Sequence, residues 1–234
     1  MLVRFAGLTI EVTAKHAAVY RFLERYAAPD GSAPDFSVSV TEEEIDRERI
    51  PTEDSPRAYL ESLAIYRKIC RETLRYQTFL FHGSAIAIDG EGYIFTAPSG
   101  TGKSTHTRLW REVYGDRVVM VNDDKPLLSL RPSGLYVSGT PWDGKHHLST
   151  NITVPVRGIC FLSRGEQNRI APVSVGEAYG HMLVQTHRPD DGTLLRATLL
   201  LLDRAVRETK FYRMQCNMDP EAAVVAYQGM KGHK

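Results

Sequence analysis

The sequence predicts a mixed α/β chain with α+β character. Its core is a mixed sheet whose Gly-rich loop is fed by an antiparallel hairpin, and a small β-rich portion precedes it. Three observations carry this reading. Residues 1–50 hold short apolar alternations. Asp89-Gly90 separates two apolar runs, a strong hairpin-turn signal. A string with two glycines follows the second run and opens a helical pattern.

Along the chain, Val3, Phe5, Leu8, Ile10 and Val12 suggest a strand pair broken at Gly7. Ala14 to Tyr26 suits a short helix, Pro29 to Pro34 a loop, and Phe36, Val38 and Val40 alternate as a half-buried strand does. Glu42, Glu43, Glu44 and Asp46 read as a solvated acidic run. Residues 55–76 read as a helix with Ser55 as cap and Pro56 at the first helical position. Leu60, Leu63, Tyr66, Ile69, Thr73 and Leu74 share one face of it. This helix connects the N-terminal portion, residues 1–78, to a larger unit, residues 79–234. That unit reads as the hairpin Ala85–Ile88 and Gly92–Thr96, a helix over 103–114, and the strand Val118–Val121. A second hairpin follows, Leu127–Leu130 with Leu135–Ser138, then the buried strand Ile159–Leu162. Ser174 with Glu177 forms a capping box for a helix to about Thr186. Thr193–Thr209 is a Leu-rich helix, and Asp219-Pro220 opens a last one that ends near Gly229.

Composition narrows the classes of function. At 234 residues the chain buries enough surface to fold without disulfides or a structural metal. Lys plus Arg total 29 and Asp plus Glu 28, a balance that argues against a general nucleic-acid binder. No apolar run approaches the roughly 18 residues of a membrane helix, and the N-terminus lacks the pattern of a signal peptide. Cys70, Cys160 and Cys216 are scattered, with no C-x-x-C, which suits buried small side chains in a reducing compartment. The expectation is a cytoplasmic protein with neither nucleic acid nor membrane as partner.

Chemistry concentrates in Ala97-Pro98-Ser99-Gly100-Thr101-Gly102-Lys103-Ser104-Thr105. The string matches the Walker A pattern except that Ala97 replaces the first Gly. Gly100 and Gly102 let the backbone curl so that successive N–H groups, from Ser99 through Thr105, point at phosphate oxygens. The helix that starts near Lys103 adds its positive end. Lys103 offsets β- and γ-phosphate charge, and Ser104 offers a hydroxyl to Mg²⁺. Asn122-Asp123-Asp124-Lys125 follows the strand Val118–Val121, about one helix and one turn later. Such a path brings the strand's end beside the loop. There, one carboxylate can hold Mg²⁺ and the other can take a proton from an attacking hydroxyl. His82 precedes the first hairpin. With the strands in simple register, its position is expected at the end away from the loop, so by spacing it reads as a structural histidine.

Phe81-His82-Gly83-Ser84, the hairpin, Ser99 to Ser104 and Asp123-Asp124 together resemble HPr kinase/phosphorylase. More broadly they are similar to the phosphoenolpyruvate-carboxykinase-type P-loop fold. The resemblance covers Phe79 to Leu130 well and the C-terminal part weakly. It implies that His82, Lys103 and Asp123 are catalytic, that Ser104 and Asp124 face Mg²⁺, and that the protein forms a homo-oligomer. Lys125 departs from the family, which usually has Arg there. Gly139 to His147 looks more like small HPr-kinase-like proteins, some of which accompany peptide-modifying gene clusters. In that loop, Lys145 is a candidate contact for the transferring phosphoryl group or a substrate carboxylate. Trp142 is a candidate wall for nucleotide or peptide. His146 and His147 lack partner ligands for a metal site. Arg157 reads as a surface salt-bridge residue before a γ-phosphate contact.

The expected activity is an ATP- and Mg²⁺-dependent kinase that transfers the γ-phosphoryl to a hydroxyl, a Ser of a peptide or protein. The alternatives are a small-molecule kinase of the same fold and a nucleotide-sensing module without transferase activity.

Overall fold

The structure is a computed structural model, and residues 1–232 are described. Strands β1 (Leu2–Phe5) and β2 (Leu8–Thr13) pair antiparallel, and β3 (Phe36–Ser39) adds to β2 in parallel. Helix α1 (Ala17–Leu23) lies between them in sequence, and α2 (Glu42–Asp46) and α3 (Arg57–Thr73) follow. Ile10, Leu23, Ile45, Ile65 and Ile69 fill the cluster that these elements share. Glu61 of α3 is fully buried and satisfied. Its carboxylate accepts from the Lys15 and His16 N–H groups at 2.6 and 3.0 Å and lies 2.7 Å from His16 Nδ1.

The acidic run lies on the solvated surface as expected, and Thr41 and Glu44, capping it reciprocally, make it a short helix. Its carboxylates engage Lys15, Arg57 and Lys68. The long helix starts at Arg57, with Pro56 itself at the N-cap and no side-chain cap from Ser55.

The second sheet runs β4 (Thr78–Leu80), β8 (Leu127–Arg131), β9 (Gly134–Ser138), β10 (Thr153–Arg164), β6 (Glu91–Thr96), β5 (Ser84–Ile88), β7 (Val118–Asn122). Strand β12 (Phe211–Cys216) pairs with β10 and with β11 (Arg169–Pro172). The sheet curls at β10. That strand's first residues pair antiparallel with β9, and the rest pairs parallel with both β6 and β12. Pro155 and Gly158 interrupt its apolar pattern, which explains why only Ile159–Leu162 reads as a strand. Strands β4, β11 and β12 are short or carry charged residues, so the sequence pattern does not mark them.

Alternation divides the core. Ala85, Ala87 and Ile94 face α5 (Val175–Gln185) and α6 (Gly192–Glu208). Ile86, Ile88, Tyr93 and Phe95 face α4 (Lys103–Tyr114) and α7 (Glu221–Lys231). Helices thus cover both faces, and the central strands read as unbroken apolar runs. The Asp89-Gly90 turn takes positive φ at both residues, as a two-residue hairpin requires. No described helix is long and apolar enough to cross a membrane.

His106 lies on α4 against Phe95 and Trp110. Burial pushes its pKa down to about 4, so the folded ring stays neutral where the unfolded one binds a proton. Its contribution to stability is therefore complete above the ordinary value near 6.5 and is lost as pH falls toward about 4, on the order of 3 kcal/mol. Urea unfolding at pH 4.5 and 7 is expected to show this slope, and His106→Gln to flatten it. An unchanged slope in the variant would refute the assignment.

Candidate functional site

Strand β5 is antiparallel to both β6 and β7, so β6 and β7 run in the same direction and end at one edge of the sheet. Register sets the neighbours there: Ser84 opposite Phe95, and Ala85 opposite Asn122. Three segments leave this edge together: the Gly-rich loop after β6, the Asp123-Asp124 turn after β7, and His82 just before β5.

The loop turns through Gly100 and Gly102, at φ 76° and 117°, a region that side-chain-bearing residues rarely adopt. Gly102 is also the N-cap of α4 and has no side chain to fill the helix end. The first N–H groups of α4 are thus open to an anion. Lys103 Nζ donates to Ala97 O at 3.0 Å, which folds the lysine across its own loop. Burial lowers the Lys103 pKa, and the charges of Asp124 and Asp123 oppose that shift.

Asn122 shapes the acidic turn. Its Oδ1 accepts the N–H groups of Asp124 and Lys125 at 2.9 and 2.7 Å, while its Nδ2 donates to the Thr140 carbonyl at 3.1 Å. The two carboxylates have different surroundings. Asp123 is buried, and its Oδ1 accepts from Ser84 Oγ at 2.5 Å. Asp124 lies 3.3 Å from His82 Nε2 through Oδ1 and engages Lys125 through Oδ2. Burial alone would raise the Asp124 pKa, but His82 and Lys125 outweigh it and hold the group below the usual carboxylate range.

His82 is not at the remote end. In an antiparallel hairpin the start of the first strand lies beside the end of the second, and Thr96 Oγ1 donates to His82 O at 3.0 Å. Gln185, at the end of α5, fixes the residue twice. Its carbonyl accepts the His82 N–H at 2.8 Å, and its Oε1 is 2.8 Å from Nδ1. Neither Gln185 nor Ser84 stands out in the sequence as a site residue, because each acts through a partner that only the fold brings near.

These groups line one cleft of about 430 Å³: His82, Ser99, Gly100, Gly102, Lys103, Ser104, Thr105, Asp123, Asp124 and Lys145, with Gly144 and His146. Of the loop residues Ser99 to Thr105, Thr101 alone is outside it; the Thr101 carbonyl accepts from Arg164 Nε at 3.4 Å. Lys145 arrives on the 139–150 loop, where Gly144 takes φ 78° and a Cβ there would stand 3.3 Å from Asp124 Cβ. That loop is tied to the N-terminal portion, since Arg25 donates to the His147 and Ser149 carbonyls at 3.1 and 2.8 Å.

Two other candidates are placed elsewhere. Trp142 is not a wall of the cleft. It is buried in the N-terminal cluster, stacked on Tyr66 at 4.0 Å, with Nε1 donating to Ser62 O at 3.1 Å. Arg157 lies near the start of β6, at the opposite edge of the sheet, 3.6 Å from Glu91. His147 is engaged by Asp143 at 3.0 Å.

Among solved structures, the chain is similar to the HPr(Ser) kinase/phosphatase from Coxiella burnetii, with 11% identity and a TM-score of 0.36, over 63% of this chain and 91% of that one. No curated protein matches the chain in sequence. A family model described as SynChlorMet cassette protein ScmC matches residues 50–189, from just before α3 to just beyond α5. That match spans more than half of the chain and holds every residue that lines the cleft, so the protein belongs to the ScmC family.

Proposed function

We propose that the cleft binds ATP and transfers its γ-phosphoryl to a hydroxyl, a Ser of a peptide or protein. One observation carries this reading: the Gly-rich loop with Lys103 and the Asp123-Asp124 pair line a single cleft at the ends of parallel-running β6 and β7. Open N–H groups at the loop and the α4 N-terminus suit the triphosphate. Lys103 is placed to offset charge on the β- and γ-phosphoryl oxygens.

A hard divalent cation such as Mg²⁺ fits the donors present. The Asp123 and Asp124 carboxylates share the cleft with Ser104, which is exposed and whose hydroxyl makes no hydrogen bond among the described residues. No described cluster of three or more His, Cys, Asp or Glu forms a complete metal site, and Mg²⁺ characteristically takes one or two carboxylates and completes its shell with phosphate oxygens and water. When bound, the ion would spread the negative charge of the transferring group.

In this reading Asp123 takes the proton of the acceptor hydroxyl on Oδ2 while Ser84 holds Oδ1 in place. The acceptor oxygen forms its bond to the γ-phosphorus as the bond to the β-phosphate oxygen breaks, and ADP leaves. Lys145 and His146 line the same cleft and are available to contact the acceptor.

The experiment is calorimetric titration with Mg-ATP, then incubation with γ-labelled ATP and pools of Ser-containing peptides or of metabolites. Lys103→Ala is expected to weaken ATP binding about 100-fold, the loss of one charge-assisted contact to phosphate in a partly buried cleft. Label in a peptide phosphomonoester supports the proposal, and label only in a metabolite moves the acceptor to small molecules. Binding without any transfer would leave a nucleotide sensor.

A further inference from the structure

A second cavity, about 480 Å³, lies against the same Gly-rich loop. Gly100, Gly102 and Thr105 line both spaces, so the loop is a partition between them. The two sides differ in chemistry. The first gathers two carboxylates, two lysines and two histidines, whereas the second is walled by Leu109 of α4, Cys216, Met218 and Arg164, at the ends of β12 and β10. No residue placed in the phosphoryl-transfer reading accounts for this wall.

Three features of the wall suit a flat heteroaromatic ring. Met218 is 76% exposed, a large apolar side chain with nothing covering it. Arg164 is fixed at the loop, its NH2 donating to Gly100 O at 2.6 Å, and this keeps a planar guanidinium beside the cavity. His106 also lines the cavity. Trp110 Nε1 donates to His106 Nε2 at 3.1 Å, which assigns the ring proton to Nδ1. That buried Nδ1 has no hydrogen-bond partner among the described residues. It lies behind the cavity wall, so a small shift of the ring would let it donate to a ring-nitrogen acceptor, and both purines present one at the same place, N7.

We infer that this second cavity takes the purine base of the nucleotide whose triphosphate occupies the first cleft, with the molecule crossing the loop at Gly102 and Thr105. The inference rests on the reading of the first cleft as a triphosphate site. It makes the site selective for purine over pyrimidine nucleotides and nearly indifferent between ATP and GTP.

The test compares ATP, GTP, CTP and inorganic tripolyphosphate in two measurements on the full chain. In competition titrations, ATP and GTP are expected to bind within about threefold of each other and about tenfold tighter than tripolyphosphate, with CTP weaker than either purine nucleotide. In the second, alkylation at Cys216 is followed by peptide mass. Cys70 and Cys160 are buried and Cys216 is half-buried against the cavity, so it is the thiol that reports. Saturating ATP or GTP is expected to slow its alkylation about fivefold or more, and saturating tripolyphosphate to leave it unchanged. Tripolyphosphate that binds as tightly as ATP, or protects Cys216 equally, overturns the base subsite while the phosphate reading stands. Failure of every phosphate compound to bind overturns both.

Discussion

Replacing Asp123 by Asn is expected to lower phosphoryl transfer about 1,000-fold while leaving ATP affinity within about threefold of wild type. The substitution keeps size and shape in a position only 8% exposed. The Asn carbonyl oxygen can still accept from Ser84 Oγ, which lies 2.5 Å from Oδ1. What is lost is the ability to take a proton, because an amide has no basic lone pair to offer an attacking hydroxyl. In the proposed reading Lys103 and the loop N–H groups hold the nucleotide, and the change does not touch them. Asp124→Asn is expected to behave differently. It weakens the contacts to His82 and Lys125 and removes a donor for the cation, so added Mg²⁺ recovers part of the activity. Single-turnover transfer from γ-labelled ATP at two Mg²⁺ concentrations separates the two carboxylates. An Asp123→Asn variant that keeps a tenth of wild-type turnover would remove Asp123 as the base.

The parts of the site that were legible are those made by local chemistry. The Gly-rich string fixes the start of α4 because Gly102 reaches a φ that ends the loop, and the helix runs from Lys103 to Tyr114 as its pattern predicts. Asp123 and Asp124 are found at the cleft because β7 is short, apolar and followed at once by an Asn that turns the chain. What failed depended on distant partners. The location of His82 follows from strand adjacency across the hairpin, and its fixing follows from Gln185, over a hundred residues downstream in sequence. Trp142 stands in a stretch with little apolar content, so it reads as a surface wall. Its partners Phe5, Phe22 and Tyr66 come from the N-terminal portion, far upstream in sequence. Pro155 and Gly158 break the apolar pattern of the sheet's longest strand, β10; Pro155 pairs within the β9 ladder, and a register shift against β6 falls at Val156 and Gly158.

Trp142 couples the two portions of the chain, and Trp142→Ala is expected to cost about 4 kcal/mol of stability. The side chain is 4% exposed, stacked on Tyr66 with the ring planes 6° apart, and meets Phe22 and Phe5 edge-on. Truncation leaves a cavity among aromatic rings that cannot easily close, since Tyr66 is itself held by its hydroxyl donating to Lys125 O at 2.6 Å. The same residue begins the Trp142-Asp143-Gly144-Lys145 stretch, in which Asp143 accepts the Ser149 N–H at 2.9 Å and Lys145 enters the cleft. Loss of the anchor therefore loosens a wall of the site as well as the core of the N-terminal portion. Trp142→Phe keeps a stacking ring and gives up the Nε1–H bond to Ser62 O, so it is expected to cost about 1.5 kcal/mol and to retain ATP binding. Urea unfolding of the three proteins, with ATP affinity measured where each remains folded, distinguishes a structural anchor from a cleft wall. A Trp142→Ala protein of wild-type stability but abolished ATP binding would return Trp142 to the nucleotide site. The expected pattern instead has Ala losing stability first and affinity through it, with Phe recovering most of the stability and the affinity.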